Sequence, residues 1–341
     1  MAPVRNARLI FNEIPKGYPE PGKSTVYNDS KTIDIDTVPL NGNILVKALV
    51  LSIDPYLRSK MRDPKEPSYL EAYVLGEPMY TLGVGKVVRS ENKDYKAGDY
   101  IYGLLNFEEY SIPRETYRVL TLEPGLSWPV YVGAAGMPGQ TAYYAWKEYA
   151  KAKAEQTVFV SGGGGPVGVM VIQLAKLDGL RVIASAGTED KIKEAKDAGA
   201  DVVFNYKHTS TEEVLKKEGP LDIYWDNVGG PTLDAALGAA KVHAQIIVCG
   251  MITEYNNKEG SNLKNLWTIY GRSLHINGFS IFDLAAKWEE EFYNVVPKLL
   301  AGGKLKHRED ISIGLETAGE GLLEVQSGKN FGKKVILVAE D

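Results

Sequence analysis

A doubly wound parallel α/β sheet joined to a second, β-rich domain is the fold class this sequence predicts, on three observations. From residue 131 onward apolar strand-like runs alternate with helical stretches, the order that builds a parallel sheet covered on both faces. Before that point short apolar runs are broken by Gly, Pro and Asp, as in an antiparallel barrel or sandwich. Between Thr157 and Gly168 a buried strand turns through a glycine loop into an apolar helix.

In chain order, the β-rich part carries Asn43 to Leu51, Gly83 to Val88 and Tyr100 to Leu104. The first parallel strand is Thr157 to Ser161, and the helix after its loop runs from Val167 to Leu177. A second strand, Arg181 to Ala186, lies where a βαβ unit places it, and a third is followed by Phe204-Asn205-Tyr206-Lys207. Leu221 to Asp226, Gln245 to Cys249 and Leu274 to Phe279 complete six strands. The tail, Lys333 to Val338, is a strand with no helix after it and is expected to pair back into the N-terminal domain. The expected division is therefore residues 1–130 plus 305–341 for one domain and 131–304 for the other. No internal repeat or low-complexity segment interrupts it.

Composition narrows the function class. A chain of 341 residues with 44% hydrophobic content has enough apolar material for two cores. A net charge of −5 argues against nucleic acid or an anionic membrane as the main partner. With no apolar run long enough to span a bilayer and no leader-like N-terminus, the expected location is the cytoplasm. The single cysteine, Cys249, forbids an internal disulfide and a four-cysteine zinc site.

The glycine loop points to a dinucleotide. Gly162, Gly165 and Gly168 recur every third residue, which lets the backbone turn tightly, approach a pyrophosphate and pack the helix on the sheet. An NAD-preferring site places Asp or Glu at the tip of the second strand to bind the ribose hydroxyls. Here the tip reads Ser185-Ala186-Gly187-Thr188, with Lys191 in the first turn of the next helix and Tyr206 after the third strand. No carboxylate at the tip repels a 2′-phosphate, so NADP(H) is the expected cofactor. Lys191 otherwise reads as a solvated helix cation beside Glu189 and Asp190.

Motifs spread over nearly the whole chain carry a resemblance. They include Asp54-Pro55-Tyr56-Leu57-Arg58, Gly83-Val84-Gly85-Lys86-Val87, Gly136-Met137-Pro138-Gly139-Gln140-Thr141, the glycine loop, Phe204-Asn205-Tyr206 and Asp226-Asn227-Val228-Gly229-Gly230. Cys249-Gly250-Met251-Ile252 with Tyr255-Asn256, and Gly328-Lys329-Asn330-Phe331-Gly332-Lys333, extend them. In order and spacing the chain resembles the zinc-independent medium-chain dehydrogenases/reductases, in the group of leukotriene B4 dehydrogenases, prostaglandin reductases and plant alkenal double-bond reductases.

The resemblance implies a GroES-like barrel built from both termini, an inserted Rossmann domain, and a homodimer. It also implies NADPH-dependent reduction of a carbon–carbon double bond conjugated to a carbonyl: hydride to the β-carbon, proton to the α-carbon, and a small enal or enone as substrate. A quinone reductase of the same superfamily, oxidation of a secondary alcohol, and a nucleotide-binding protein without turnover are the alternatives.

Residue by residue, the resemblance implies cofactor contacts from Pro55, Met137, Thr141, Gly162, Gly165, Val167, Gly168, Gly187, Lys191, Tyr206, Asn227, Cys249, Tyr255, Phe279, Ser280 and Asn330. The alternative readings are a core methionine for Met137 and simple turn residues for Asn227 and Asn330. Tyr56 matches a substrate-pocket position, and Leu82 stands where plant relatives often carry tyrosine, making that wall more apolar. The tyrosine those relatives use as a donor lies seven residues before a Gly-Phe pair; here Tyr270 lies eight residues before Gly278 and is either a catalytic donor or a packing aromatic. Arg58 faces phosphate or solvent. No metal is expected: residues 1–130 contain neither Cys nor His, and His208, His243, His275 and His307 are scattered.

Overall fold

Six runs of the second half form one parallel sheet in the computed structural model, which describes residues 3–257 and 260–341. The strands are β1 (Thr157–Val160), β2 (Arg181–Ala186), β3 (Val202–Asn205), β4 (Leu221–Asp226), β5 (Ala240–Val248) and β6 (His275–Gly278). Their spatial order is 3-2-1-4-5-6, so the winding direction reverses between β1 and β4, where open sheets of this kind bind ligands. Every pairing is parallel; Phe159 lies opposite Ile183 on one side and Tyr224 on the other. The central strands are buried on both faces, hence their continuous apolar sequences. Phe159 stacks on Tyr224 and Phe204, with ring centroids 5.2 and 6.0 Å apart, and Ile183, Ile246 and Leu237 pack against them. Each such buried side chain contributes about 1.5–3 kcal/mol.

The helices between the strands carry legible start signals. Pro166–Leu177 (α1) opens on Gly165 with proline in its first turn. Glu189–Asp197 (α2) is capped by Thr188, whose side chain accepts a hydrogen bond from the Lys191 N–H. In Ile281–Ala301 (α3), Lys287 and Trp288 both reach the Glu148 carboxylate, at 2.7 and 2.9 Å, so this stretch is a tethered polar helix face. Tyr143 and Tyr144 pack edge-on against Phe292, and the Tyr143 hydroxyl donates to Glu291, which makes both rings packing groups. Among the described residues no helix is long and apolar enough to cross a membrane.

The other unit is built on a seven-stranded sheet. Tyr80–Ser90 lies between Ile44–Ser52 and Tyr100–Asn106, all antiparallel, and Glu115–Leu120 closes one side. Lys333–Leu337 joins Ile44–Ser52 antiparallel, with Ile336 opposite Leu51. The tail strand is not alone: Glu309–Ile313 pairs with it in parallel, an edge strand whose polar, half-exposed sequence gives no strand signal. The chain divides into 1–133 with 309–341, and 134–308. These breaks fall a little after the expected 130 and 304 for local reasons. Trp128–Val132 is a 3-10 helix whose Trp128 stacks on Tyr100 at 4.5 Å. At the other break, Lys306 bonds Gln173 and the Asp197 carbonyl, and Arg308 pairs with Glu194 at 3.0 Å.

Arg58 and Lys60 are among the buried cations of this β-rich unit. Arg58 faces neither phosphate nor solvent: its guanidinium donates to the carbonyls of Pro15, Gly17 and Met61. Lys60 is 4% exposed, and its ammonium sits 3.4 Å from the centroid of the Tyr80 ring and 4.8 Å from that of Tyr73. Arg114 lies 4.1 Å from the same Tyr80 centroid and pairs with Glu71, which also accepts from the Tyr80 hydroxyl.

Burial pushes Lys60 down to about 7, with Glu71 opposing the shift and Arg114 and Arg62 adding to it. Because the folded value lies below the ordinary 10.5, the unfolded chain binds the extra proton between these values, and stability rises with pH across that window. Relative to Lys60→Met, the native protein is therefore expected to gain about 2 kcal/mol between pH 7 and pH 9 in urea titrations. A constant difference between the two proteins would refute this.

Candidate functional site

At the end of β1 the backbone reverses through Gly162, whose φ of +62° is a conformation L side chains rarely adopt. The loop then closes on itself. A Cβ added at Gly168 would lie 2.4 Å from the Gly162 carbonyl oxygen and 2.8 Å from the Gly163 Cα, so only glycine fits. One added at Gly164 would lie 2.5 Å from the Lys191 carbonyl oxygen, which puts this loop directly against the first turn of α2. Gly165 caps α1 without any side-chain acceptor, and Val167 is half-buried in the first turn. The positive end of a twelve-residue helix thus ends at a loop stripped of side chains, which fits the pyrophosphate of a dinucleotide.

Beyond β2, Gly187 carries the Tyr206 ring: a Cβ at Gly187 would lie 2.7 Å from the phenolic oxygen. The Tyr206 N–H donates to the Ala186 carbonyl at 3.2 Å, and the side chain stays half-exposed. Gly187, Lys191 and Tyr206 therefore gather at one strand tip. The nearby Glu189 carboxylate is held by the Asn205 amide at 2.9 Å.

The end of β4 is organised by Asp226, the first residue of the Asp226–Gly230 motif and one to which the sequence assigns no role of its own. Its residue is fully buried, and one carboxylate oxygen accepts from the Tyr224 hydroxyl (2.6 Å), the Gly229 N–H (2.8 Å), the Val228 N–H (2.9 Å) and the Ser161 hydroxyl (3.4 Å). Its backbone carbonyl accepts from the Cys249 and Gly250 N–H groups. Burial holds the carboxyl above its ordinary range, against the pull of those donated bonds. Asn227 is committed as well: its amide donates to the Ser161 carbonyl at 2.7 Å, its N–H to the Ser161 hydroxyl at 3.0 Å, and its side-chain oxygen accepts from Trp225. It fastens the end of β4 to the glycine loop.

The neighbouring positions follow from the same sheet edge. Burial pushes the Cys249 thiol up to about 12, with Asp226 adding to the shift, which favours the protonated thiol; the residue keeps some accessible surface. The Tyr255 hydroxyl lies 2.9 Å from where a Gly250 Cβ would sit. Phe279 packs between Tyr149 and Trp225, and Ser280 caps α3. Met137 opens the helix Met137–Ala145, and the Thr141 hydroxyl donates to its carbonyl at 2.7 Å.

Two family models match this chain: one described as a zinc-binding dehydrogenase over residues 166–301, the other as an N-terminal domain of oxidoreductase over residues 8–119. A tobacco (Nicotiana tabacum) protein named 2-alkenal reductase (NADP(+)-dependent) is 37% identical, over 99% of both chains. The chain belongs to the medium-chain dehydrogenase/reductase family. The NADPH-dependent curcumin reductase of Escherichia coli is 34% identical over 99% of this chain and 98% of its own. The crystal structure of CurA in complex with NADPH from Vibrio vulnificus superimposes with a TM-score of 0.88, at 31% identity, over 98% of this chain and 100% of that one.

For a reductase of this family the remaining expected residues divide by unit. Tyr270, on the short helix Thr268–Gly271, is 83% exposed. In the β-rich unit Pro55 accepts a hydrogen bond from the Gln326 amide at 2.8 Å, and Tyr56 is half-buried against the core at the start of Leu57–Lys60. Leu82 is buried, opposite Leu104. The Asn330 amide donates to the Gly332 carbonyl at 2.8 Å. Among the described residues no three His, Cys, Asp or Glu side chains gather as a metal site.

Proposed function

We propose that this medium-chain reductase uses NADPH to saturate the carbon–carbon double bond of α,β-unsaturated aldehydes and ketones. The observation that carries the reading is the side-chain-free glycine loop packed against the first turn of α2, next to a strand tip, Ser185 to Thr188, that bears no carboxylate and carries the Tyr206 ring over Gly187. The names of the tobacco and Escherichia coli relatives, and the NADPH in the Vibrio vulnificus complex, support it.

In this reading Gly162, Gly165, Val167 and Gly168 receive the pyrophosphate through backbone amides, while Lys191 and Tyr206 bind the 2′-phosphate. Asn227, Cys249, Tyr255, Phe279, Ser280, Met137, Thr141, Pro55 and Asn330 border the rest of the cofactor. Bound NADPH supplies a hydride for the β-carbon of the substrate. Negative charge then gathers on the substrate carbonyl oxygen, and a hydroxyl aimed there lowers the barrier. Tyr56 is the residue we assign to face the substrate, beside the apolar wall of Leu82, and Tyr270 is the second candidate donor. A proton reaches the α-carbon to complete the saturated carbonyl product.

The test is loss of 340 nm absorbance with NADPH, and separately with NADH, over a panel of enals, enones and quinones, with product analysis. A saturated carbonyl product supports the reading, whereas turnover of quinones alone assigns the chain to quinone reduction. Binding of NADPH with no acceptor turned over makes it a nucleotide-binding protein. Lys191→Ala is expected to raise the KM for NADPH about tenfold and leave that for NADH within twofold, since only NADPH carries the charge it meets.

A further inference from the structure

Two residues before Tyr56 the chain carries one half of a buried ion pair. The Lys333 ammonium is 2.9 Å from an Asp54 carboxylate oxygen, and both side chains are almost completely buried, at 2% and 4% exposed. Lys333 also donates to the carbonyls of Ile53 and Lys334, at 2.5 and 3.1 Å, which uses its three protons. The other Asp54 oxygen accepts from the Ser52 hydroxyl. Gly133 lies behind the lysine stem, where a Cβ would come within 3.3 Å of its Cγ. Burial pulls the Lys333 ammonium below its ordinary value, and Asp54 works against that pull.

A buried pair of this kind is weak evidence for stability, because taking two charges out of water offsets most of their attraction. What it specifies here is register. Lys333 sits at the start of the tail strand and Asp54 two residues before Tyr56, so the pair fixes where the Asp54–Tyr56 turn leaves Ile44–Ser52. The Ile53 N–H donates to the Lys334 carbonyl at 3.2 Å and Gln326 holds the Pro55 carbonyl, so the C-terminal segment grips this turn on consecutive residues.

We infer that Lys333, through Asp54, is a positioning residue that holds the Tyr56 hydroxyl in its productive orientation. The kinetic consequence rests on the enal-reductase reading; the structural one does not.

The test uses the full chain with 3-fluorotyrosine installed at position 56. The double variant Lys333→Met/Asp54→Asn removes both charges, so no unpaired charge is left buried. A positioning role predicts a thermal midpoint close to native, a broadened or split fluorine resonance, and kcat for trans-2-hexenal lowered about tenfold with KM within threefold. A fluorine resonance identical to the native one overturns the inference. If the double variant does not fold, Ser52→Ala loosens Asp54 without stranding a charge; it supports the inference if the resonance broadens and overturns it if the resonance is unchanged. Failure of the unsubstituted protein to reduce trans-2-hexenal counts against the proposed substrate class, and the resonance still decides the role of Lys333.

Discussion

Gly168→Ala is expected to raise the dissociation constant for NADPH about a hundredfold, equivalent to about 2.7 kcal/mol. The added methyl would sit 2.4 Å from the Gly162 carbonyl oxygen and 2.8 Å from the Gly163 Cα. Both neighbours are backbone, so no side-chain rotation relieves the overlap. The loop must lift from α1, and its amides lose the convergent geometry that a pyrophosphate needs. Gly17→Ala is the control, because a Cβ there meets nothing within 4 Å. Titration of protein fluorescence with NADPH measures both. A Gly168→Ala constant within threefold of native would show that the pyrophosphate does not lie on this loop.

Asp226→Ala is expected to cost about 1–3 kcal/mol of folding stability, the range for leaving buried hydrogen-bond donors without their acceptor. The Tyr224 hydroxyl and the Val228 and Gly229 N–H groups would lose their shared acceptor inside the protein. Asp226→Asn keeps an acceptor oxygen and is expected to cost less than half as much. The pH dependence has a definite sign. Since burial raises the folded value above the ordinary 3.8, the stability Asp226 contributes is whole below 3.8 and is lost as pH rises through the higher folded value. Asp226→Asn should therefore gain on the native protein across that window. Urea titrations of the three proteins between pH 4 and pH 7 decide it; an alanine cost below 1 kcal/mol would mean that water replaces the carboxylate.

The glycine loop was legible because its requirements are local. Glycines between a buried strand and an apolar helix report a tightly turning backbone, and the positive φ at Gly162 and the close approach at Gly168 are the physical reason. The sheet was legible for a similar reason, since strands buried on both faces read as continuous apolar runs. Charges inside the protein were not. Nothing local separates Arg58, Lys60 and Lys333 from solvated cations, because what buries them comes from residues distant in sequence, such as Tyr80 over Lys60 and Asp54 beside Lys333. The organising role of Asp226 was hidden for the same reason, although its motif was legible: its partners are assembled from two strands and the turn that follows.

By itself, then, the sequence determined the two-part architecture, the winding of the parallel sheet and the glycine turn between its first strand and helix, all of which follow from hydrophobic period and from where a side chain is sterically forbidden. Only the tertiary structure decided that Tyr206 lies over Gly187, that Asn227 fastens two strand ends, that Glu309–Ile313 is a strand, and that Tyr270 stands exposed on its short helix. Those outcomes depend on contacts between segments far apart in the chain, whose energies are set by distance and burial that no local pattern encodes.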